Sequence, residues 1–239
     1  MTNKEGGILY LIPVSIDQNS KESVLLEKHQ KIVKDLDYFV VENAKTARFY
    51  LSALKLHKPI HQLNFEVLDK STNEEEIKNF LIPLIKGFNV GLLSESGCPA
   101  VADPGAKMVA LAHQNNIKVI PMTGPSSILL ALMASGLNGQ QFKFHGYLPS
   151  DKEERIKKII SIENESKKNN ETEIFIETPY RNQHVFNDLI ENLKEQTKLC
   201  IGLDITSQNE LILTKNIGDW KKEITHDLKN KPCVFLLQS

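Results

Sequence analysis

Asn89-Val90-Gly91-Leu92-Leu93-Ser94 runs without a break into Glu95-Ser96-Gly97-Cys98-Pro99-Ala100-Val101-Ala102-Asp103-Pro104-Gly105. The first six residues read as a strand with apolar side chains on both faces, the pattern of a sheet covered on both sides. The stretch from Leu93 to Gly105 holds two Gly, two Pro, two Ser and two acids. Glycine there permits a close backbone approach or a positive φ. In α/β folds the carboxyl ends of parallel strands are where ligands bind. The same residues also suit a plain strand-to-helix connection, with Asp103 capping the next helix and Pro104 in its first turn. Both readings can hold together.

Outward from this segment the alternation repeats. Ile8–Val14, Tyr38–Glu42 and Ile117–Pro121 read as further strands. Amphipathic patterns around Leu26–Leu36, Ala44–Leu54, Glu74–Ile85 and Lys107–Gln114 read as helices between them. The second half continues with strands at Phe142–Tyr147, Glu173–Glu177, Lys198–Asp204, Glu210–Thr214 and Pro232–Leu237, and a helix near Gln183–Glu195. Asp151–Thr172 is rich in Lys and Asn and reads as a solvated helix followed by a mobile loop. The turn-rich Met122–Ser127 marks a boundary. The expectation is an α/β protein of two domains, 1–122 and 123–239, with mainly parallel sheets and a ligand site in a cleft between the lobes.

The chain has 239 residues, 41% hydrophobic and 25% charged, which is a globular balance. Its 29 Lys and Arg against 30 Asp and Glu give a net charge of -1, so no overall basic field draws nucleic acid. Three scattered cysteines without a CxxC pair suggest free thiols in a reducing compartment. Met1–Gly7 leads into an apolar run too short for a signal sequence, and no segment approaches the ~20 apolar residues of a membrane span. A cytoplasmic protein is expected. GxGxxG after the first strand, GxxxxGK[ST], GxSxG and HExxH are all missing. His57 and His61 lie four apart, but Pro59 between them breaks the helix that would align them, and no metal site is expected.

Two more turns resemble the first. Thr123-Gly124-Pro125-Ser126-Ser127 follows a strand, and Glu177-Thr178-Pro179-Tyr180-Arg181 puts a carboxylate at a strand end and an Arg at a helix start. Each has a bland reading, a helix cap or a Glu–Arg pair. Taken in order, the three turns resemble those of the tetrapyrrole-methylase superfamily of S-adenosylmethionine-dependent methyltransferases, over nearly all of the chain. Ser94, Gly97, Pro99, Asp103, Pro104 and Gly105 match the family's Ser-Asp-Ala-Gly-Thr-Pro…Ser-Asp-Pro-Gly loop, with Glu95 and Cys98 as substitutions. Gly124-Pro125-Ser126, Gly146-Tyr147-Leu148-Pro149 and Glu177, Pro179 and Arg181 match three further motifs. Pro13 and Glu42 are kept from the first two motifs, whereas Asn43 and Ala44 depart. The closest resemblance is to the branch that methylates ribose 2′-hydroxyls of 16S ribosomal RNA, whose members typically carry a helical tail beyond the last strand.

The resemblance implies S-adenosylmethionine bound in the interdomain cleft, held mostly by backbone groups. Its contacts are expected at Pro13, Ser94, Glu95, Gly97, Val101, Ala102, Asp103, Thr123, Gly124, Pro125, Ser126, Ser127, Leu203 and Thr206. A methyl sulfonium is already electrophilic, so alignment and water exclusion carry the catalysis and no metal is needed. A ribose hydroxyl profits from a general base, for which Glu42 and Glu177 are candidates, while Arg181 or Lys45 would hold a phosphate. Glu42 reads equally as a helix cap. His145 reads as a packed residue rather than a base. Lys152, Arg155, Lys157, Lys158, Lys167 and Lys168 offer charge to RNA but alternate with acids, which favours a solvated helix face. Ribosomal RNA or the small ribosomal subunit is the expected partner, with a homodimer as the expected assembly. A tetrapyrrole acceptor and a catalytically degenerate cofactor-binding protein are the alternatives.

Overall fold

The computed structural model describes residues 6–17, 24–222 and 227–239. Met1–Glu5, part of the N-terminal stretch read above, lie outside the described residues. The chain divides into two compact units, residues 1–126 and 127–239.

In the first unit the order is β1 (Ile8–Ile12), α1 (Glu27–Lys34), β2 (Tyr38–Val41), α2 (Ala44–Ala53), β3 (Asn64–Val67), α3 (Glu74–Phe80), α4 (Ile82–Ile85), β4 (Val90–Leu93), α5 (Gly105–Gln114) and β5 (Lys118–Pro121). The strands form one sheet in the order β3-β2-β4-β1-β5, and every pairing is parallel. The unbroken apolar runs follow from burial on both faces. Tyr10, Ile12, Phe39, Val41 and Leu93 pack with Val33 of α1 and with Ala47, Tyr50 and Leu51 of α2. Leu9, Val40, Val90 and Leu92 pack on the other face with Ile77 of α3, Leu84 of α4 and Met108 of α5. Successive strand residues point to opposite faces, so one strand serves both layers.

Two local readings change. The helix expected over Glu74–Ile85 is split at Leu81, because Pro83 has no N–H to donate and its ring collides with the carbonyl four residues back. An Asn73–Glu76 capping box starts the first piece. The edge strand β3 has no counterpart in the sequence reading: its residues are mostly exposed and form no apolar run.

The second unit runs α6 (Ser127–Ser135), β6 (Phe142–Tyr147), α7 (Lys152–Asn169), β7 (Thr172–Ile176), α8 (Asn182–Asn192), β8 (Lys198–Leu203), β9 (Leu211–Asn216), α9 (Ile217–Trp220) and β10 (Cys233–Gln238). The sheet order is β6-β7-β10-β8-β9. Only β6–β7 is parallel; β7–β10, β10–β8 and β8–β9 are antiparallel. Among the described residues five of the eight strand pairings are therefore parallel, but the parallel expectation does not extend to this sheet. The reason is connection length. Helix α7 is a crossover long enough to keep β6 and β7 parallel, whereas residues 204–210 between β8 and β9 allow only a hairpin.

The mobile loop expected before Thr172 is absent; α7 continues to Asn169 and stops where Asn170 turns left-handed at φ 52. Asp151 caps its start by accepting from Glu154 N–H at 3.0 Å. A buried stripe of Arg155, Ile159, Ile162, Glu163 and Ser166 holds it to the sheet, so the helix is only partly solvated. Arg155, counted above among the charges open to RNA, is 6% exposed and donates to Asp188 Oδ2 at 2.8 Å and to the carbonyl of Ser150. Removing the guanidinium leaves Asp188 buried with, among the described residues, only Lys152 Nζ, 3.9 Å away, as a cationic partner. Arg155→Ala is expected to cost about 3 kcal/mol in urea unfolding, and Arg155→Ala/Asp188→Ala to recover part of it.

Candidate functional site

Strand β4 is the middle strand of the first sheet, with all four residues buried, so the loop after it leaves from the centre of the carboxyl edge. Side chains hold this loop by its backbone groups, with one backbone pair to Val14. Val14 N–H donates to the Gly97 carbonyl at 2.9 Å and Ser94 Oγ to the Ser96 carbonyl at 3.2 Å. Cys98 Sγ lies 3.2 Å from the Pro125 carbonyl. Gly97, Ala100 and Ala102 all have positive φ, at 68, 66 and 60. Asp103 holds the bend. Its two oxygens accept from Ala100 N–H at 2.9 Å each and Oδ1 also accepts from Gly105 N–H at 2.7 Å. Asp103 thus ties the loop to the start of α5, and Pro104 precedes the helix. Burial pushes its carboxyl above the usual range, opposed by these N–H groups and aided by the charge of Glu42.

Glu42 reaches the same loop from the end of β2. Its Oε2 accepts from Glu95 N–H at 3.1 Å, and its backbone N–H donates to the Leu93 carbonyl at 3.2 Å. It is not the helix cap: Asn43 caps α2, with Oδ1 accepting from Lys45 N–H at 2.9 Å. The departure from the family motif at Asn43 is thus a sound local choice. Arg48, on the same helix, stacks over the Phe65 ring at 4.9 Å.

Pro13 and Gly124 meet face to face. A Cβ on Gly124 would sit 2.2 Å from both Cβ and Cγ of Pro13, so only glycine fits. Tyr50 Oη donates to the Pro13 carbonyl at 3.1 Å, a buried anchor that no local pattern reveals. The structure therefore gathers Pro13, Glu42, Ser94, Glu95, Gly97, Asp103, Gly124 and Pro125 into one connected loop cluster. Val101, Ala102 and Thr123 are exposed beside it, and Ser126 is half-buried.

In the second unit Ser127 opens α6. Leu203 is buried at the end of β8, in the core, so its side chain is not open to a ligand. Thr206 is exposed with φ 71, and its N–H donates to Glu210 Oε2 at 2.7 Å. Glu177 is 5% exposed at the end of β7. Its Oε1 accepts from Thr178 N–H at 2.7 Å, and its Oε2 pairs with Arg181 Nη2 at 2.9 Å. Arg181 Nη2 also donates to the Pro149 carbonyl at 2.9 Å, next to the carbonyl of Ser150 that Arg155 holds. The Glu–Arg pair read from spacing is therefore present, and its second task is to hold the Gly146–Pro149 turn. His145 is packed as expected, against Glu173. Cys98, Cys200 and Cys233 are free thiols whose ionisation burial pushes up. Among the described residues no helix is long and apolar enough to cross a membrane.

Residues 26–220 match the family described as Tetrapyrrole (Corrin/Porphyrin) Methylases. The chain belongs to this methyltransferase family. The match spans α1 through α9 and therefore takes in the Ser94–Gly105 loop, the Gly124-Pro125-Ser126 turn and the Glu177–Arg181 pair. Among curated proteins it is similar to those named ribosomal RNA small subunit methyltransferase I. Those from Buchnera aphidicola subsp. Acyrthosiphon pisum and Haemophilus influenzae are each 28% identical, covering 96% of this chain and 78% of the relative. The one from Vibrio cholerae is also 28% identical, covering 96% and 76%.

Gly124→Ala tests the loop cluster. The added methyl collides with Pro13, and the displacement is expected to cost about 1–3 kcal/mol of stability in urea unfolding. Gly139→Ala, which meets nothing within 4 Å, should leave stability nearly unchanged.

Proposed function

We propose that this methyltransferase uses S-adenosylmethionine to methylate a ribose 2′-hydroxyl of 16S ribosomal RNA. The observation that carries the reading is the Glu42 carboxylate bonded onto the strand-end loop of the first sheet. A base is thereby set beside the backbone that the family resemblance assigns to the cofactor. The names of the relatives support the ribosomal substrate.

The loop suits a nucleoside donor. Gly97, Ala100 and Ala102 are left-handed, which turns their peptide groups out of strand and helix ladders. Small side chains at these positions let a ligand approach the main chain. S-adenosylmethionine supplies, when bound, a methyl group on a sulfonium that departs as a neutral thioether. The chain's part is to hold the loop rigid, align the acceptor and take its proton. Glu42 is assigned the proton: its Oε2 is steadied by Glu95 N–H while Oε1 meets no donor among the described residues. Glu177 accepts from Thr178 through Oε1 and faces the Arg181 guanidinium through Oε2 as an ion pair, and is assigned to position Arg181. Arg181 keeps Nε and Nη1 for a phosphate, since its bonds among the described residues use Nη2. The assignments of Ser94, Gly97, Asp103, Thr123, Gly124, Pro125, Ser126 and, in the second unit, Ser127 and Thr206 to the cofactor remain part of this proposal, Leu203 through its backbone alone. A cytoplasmic homodimer completes it.

Small subunits lacking the modification, incubated with labelled S-adenosylmethionine, should take up one methyl, recovered after nuclease digestion as a 2′-O-methyl nucleoside. A base-methylated nucleoside, or no incorporation despite cofactor binding, overturns the reading. Glu42→Gln keeps an acceptor for Glu95 N–H but removes the base, so kcat should fall about 100-fold with cofactor affinity within about twofold. Glu177→Gln should instead raise KM for RNA as Arg181 loses its partner. Unchanged kcat in Glu42→Gln removes the assigned base.

A further inference from the structure

The second unit holds a polar cluster that none of the methyl-transfer motifs uses. Register β6–β7 shifts between Phe144 and Tyr147, so three steps of β6 face two of β7, and Gly146 takes φ 70. A bulge of this kind re-aims a side chain. Here it lies next to His145, whose Nε2 lies 2.5 Å from Glu173 Oε2 with both side chains buried. Glu173 is 0% exposed, and its other oxygen, Oε1, receives no hydrogen bond from any donor among the described residues. Glu165 of α7 completes the group. One donor atom from each of His145, Glu165 and Glu173 lies within 4.8 Å of the others.

We propose that His145, Glu165 and Glu173 form a binding site for a divalent first-row transition ion of the Zn2+ class, which clamps α7 onto the edge of the second sheet. One imidazole and two carboxylates are a donor set of that class, with water in the fourth position. At bond lengths of about 2.1 Å, tetrahedral donors lie about 3.4 Å apart, so the widest pair must close by at most about 1.4 Å and His145 Nε2 and Glu173 Oε2, now 2.5 Å apart, must open by about 0.9 Å. Glu165 is partly exposed and can supply the closing by rotation, and a small rotation of the His145 ring supplies the opening. The ion gives Glu173 Oε1 the partner it lacks, in a place where an unpaired buried oxygen is costly.

The charges around the group fit. Glu171 is the carboxylate beside Glu173, and Glu165 adds a second, while Lys143 and Lys158 face the cluster from β6 and α7. Three acidic side chains and two lysines thus surround the group. Ser161 Oγ donates to Glu165 Oε1 at 3.0 Å, and Lys143 Nζ, which holds Oε2 at 2.6 Å, is the charged competitor. It is half exposed and can release Glu165 into water.

The test uses the full chain, stripped by chelator and titrated by calorimetry with Zn2+ and, in parallel, Mn2+ and Mg2+. One Zn2+ per chain is expected, with Mg2+ much weaker, and a rise in Tm on loading. His145→Gln and Glu165→Gln should each weaken Zn2+ at least tenfold, the second at a partly exposed position with the circular dichroism intact. Lys143→Ala, which frees Glu165, should tighten it severalfold, an effect no purely structural ion pair would produce. Co2+ substitution should give the absorption bands of a tetrahedral ion. Absence of saturable binding, equal affinity in the parent, His145→Gln and Glu165→Gln, or loss of binding in Cys98→Ser, overturns the proposal. Cofactor binding and methyl transfer are read separately, so the outcome is independent of the function proposed above.

Discussion

The carboxylate of Asp103 decides the shape of the first unit's edge. Two residues without the freedom of glycine, Ala100 and Ala102, are left-handed within the loop after the central strand. Each such residue costs about 1–2 kcal/mol relative to ordinary backbone. Asp103 offsets this by accepting from Ala100 and Gly105 N–H, which closes the bend and hands the chain to α5. Its own burial is tolerated because those N–H groups oppose the desolvation. Once the loop is closed, Val14 joins Gly97, Cys98 meets Pro125, and Glu42 can bond to Glu95. Without the clamp these contacts would have no fixed partner.

The second unit reaches a similar end by other means. Its Gly146–Pro149 turn is held by guanidinium groups rather than by a side chain within the turn. Arg155 binds the carbonyls of Pro149 and Ser150 while pairing with buried Asp188. Arg181 binds Pro149 while pairing with buried Glu177. Arginine suits this role because its fork of donors can serve a carboxylate and a carbonyl at once. A turn tied through two helices and a strand end moves only if those elements move, and such rigidity is what a group-transfer enzyme needs of the parts that align its substrates.

Both units place their irregular backbone at strand ends and keep the sheets regular, with the β6 bulge as the exception. The first sheet can be all parallel because a helix follows almost every strand. The second carries one parallel pair, where α7 supplies the crossover, and is antiparallel where the chain turns back over a few residues. Function separates along the same line. Bends shaped by Gly, Pro and small residues are the candidate ligand surface, and the helices supply the buried ionic ties behind them.

The alternation of apolar strands and amphipathic helices, the strand-end loops and the ordered motifs that mark the family were legible along the chain, because period, composition and turn chemistry are local properties. So was the Glu177–Arg181 pair, whose partners lie four residues apart. Strand β3 and the antiparallel pairings were not, since an exposed edge strand has no apolar run and pairing direction depends on where the chain returns. The burial of Arg155 against Asp188, the fit of Gly124 on Pro13, the Tyr50 anchor and the His145–Glu173 contact join residues 28 to 111 positions apart. Spacing carries no information about such neighbours. They exist only once the sheets have formed, because burial is what turns a charged helix residue into a core tie and a strand-end glycine into the one residue that fits.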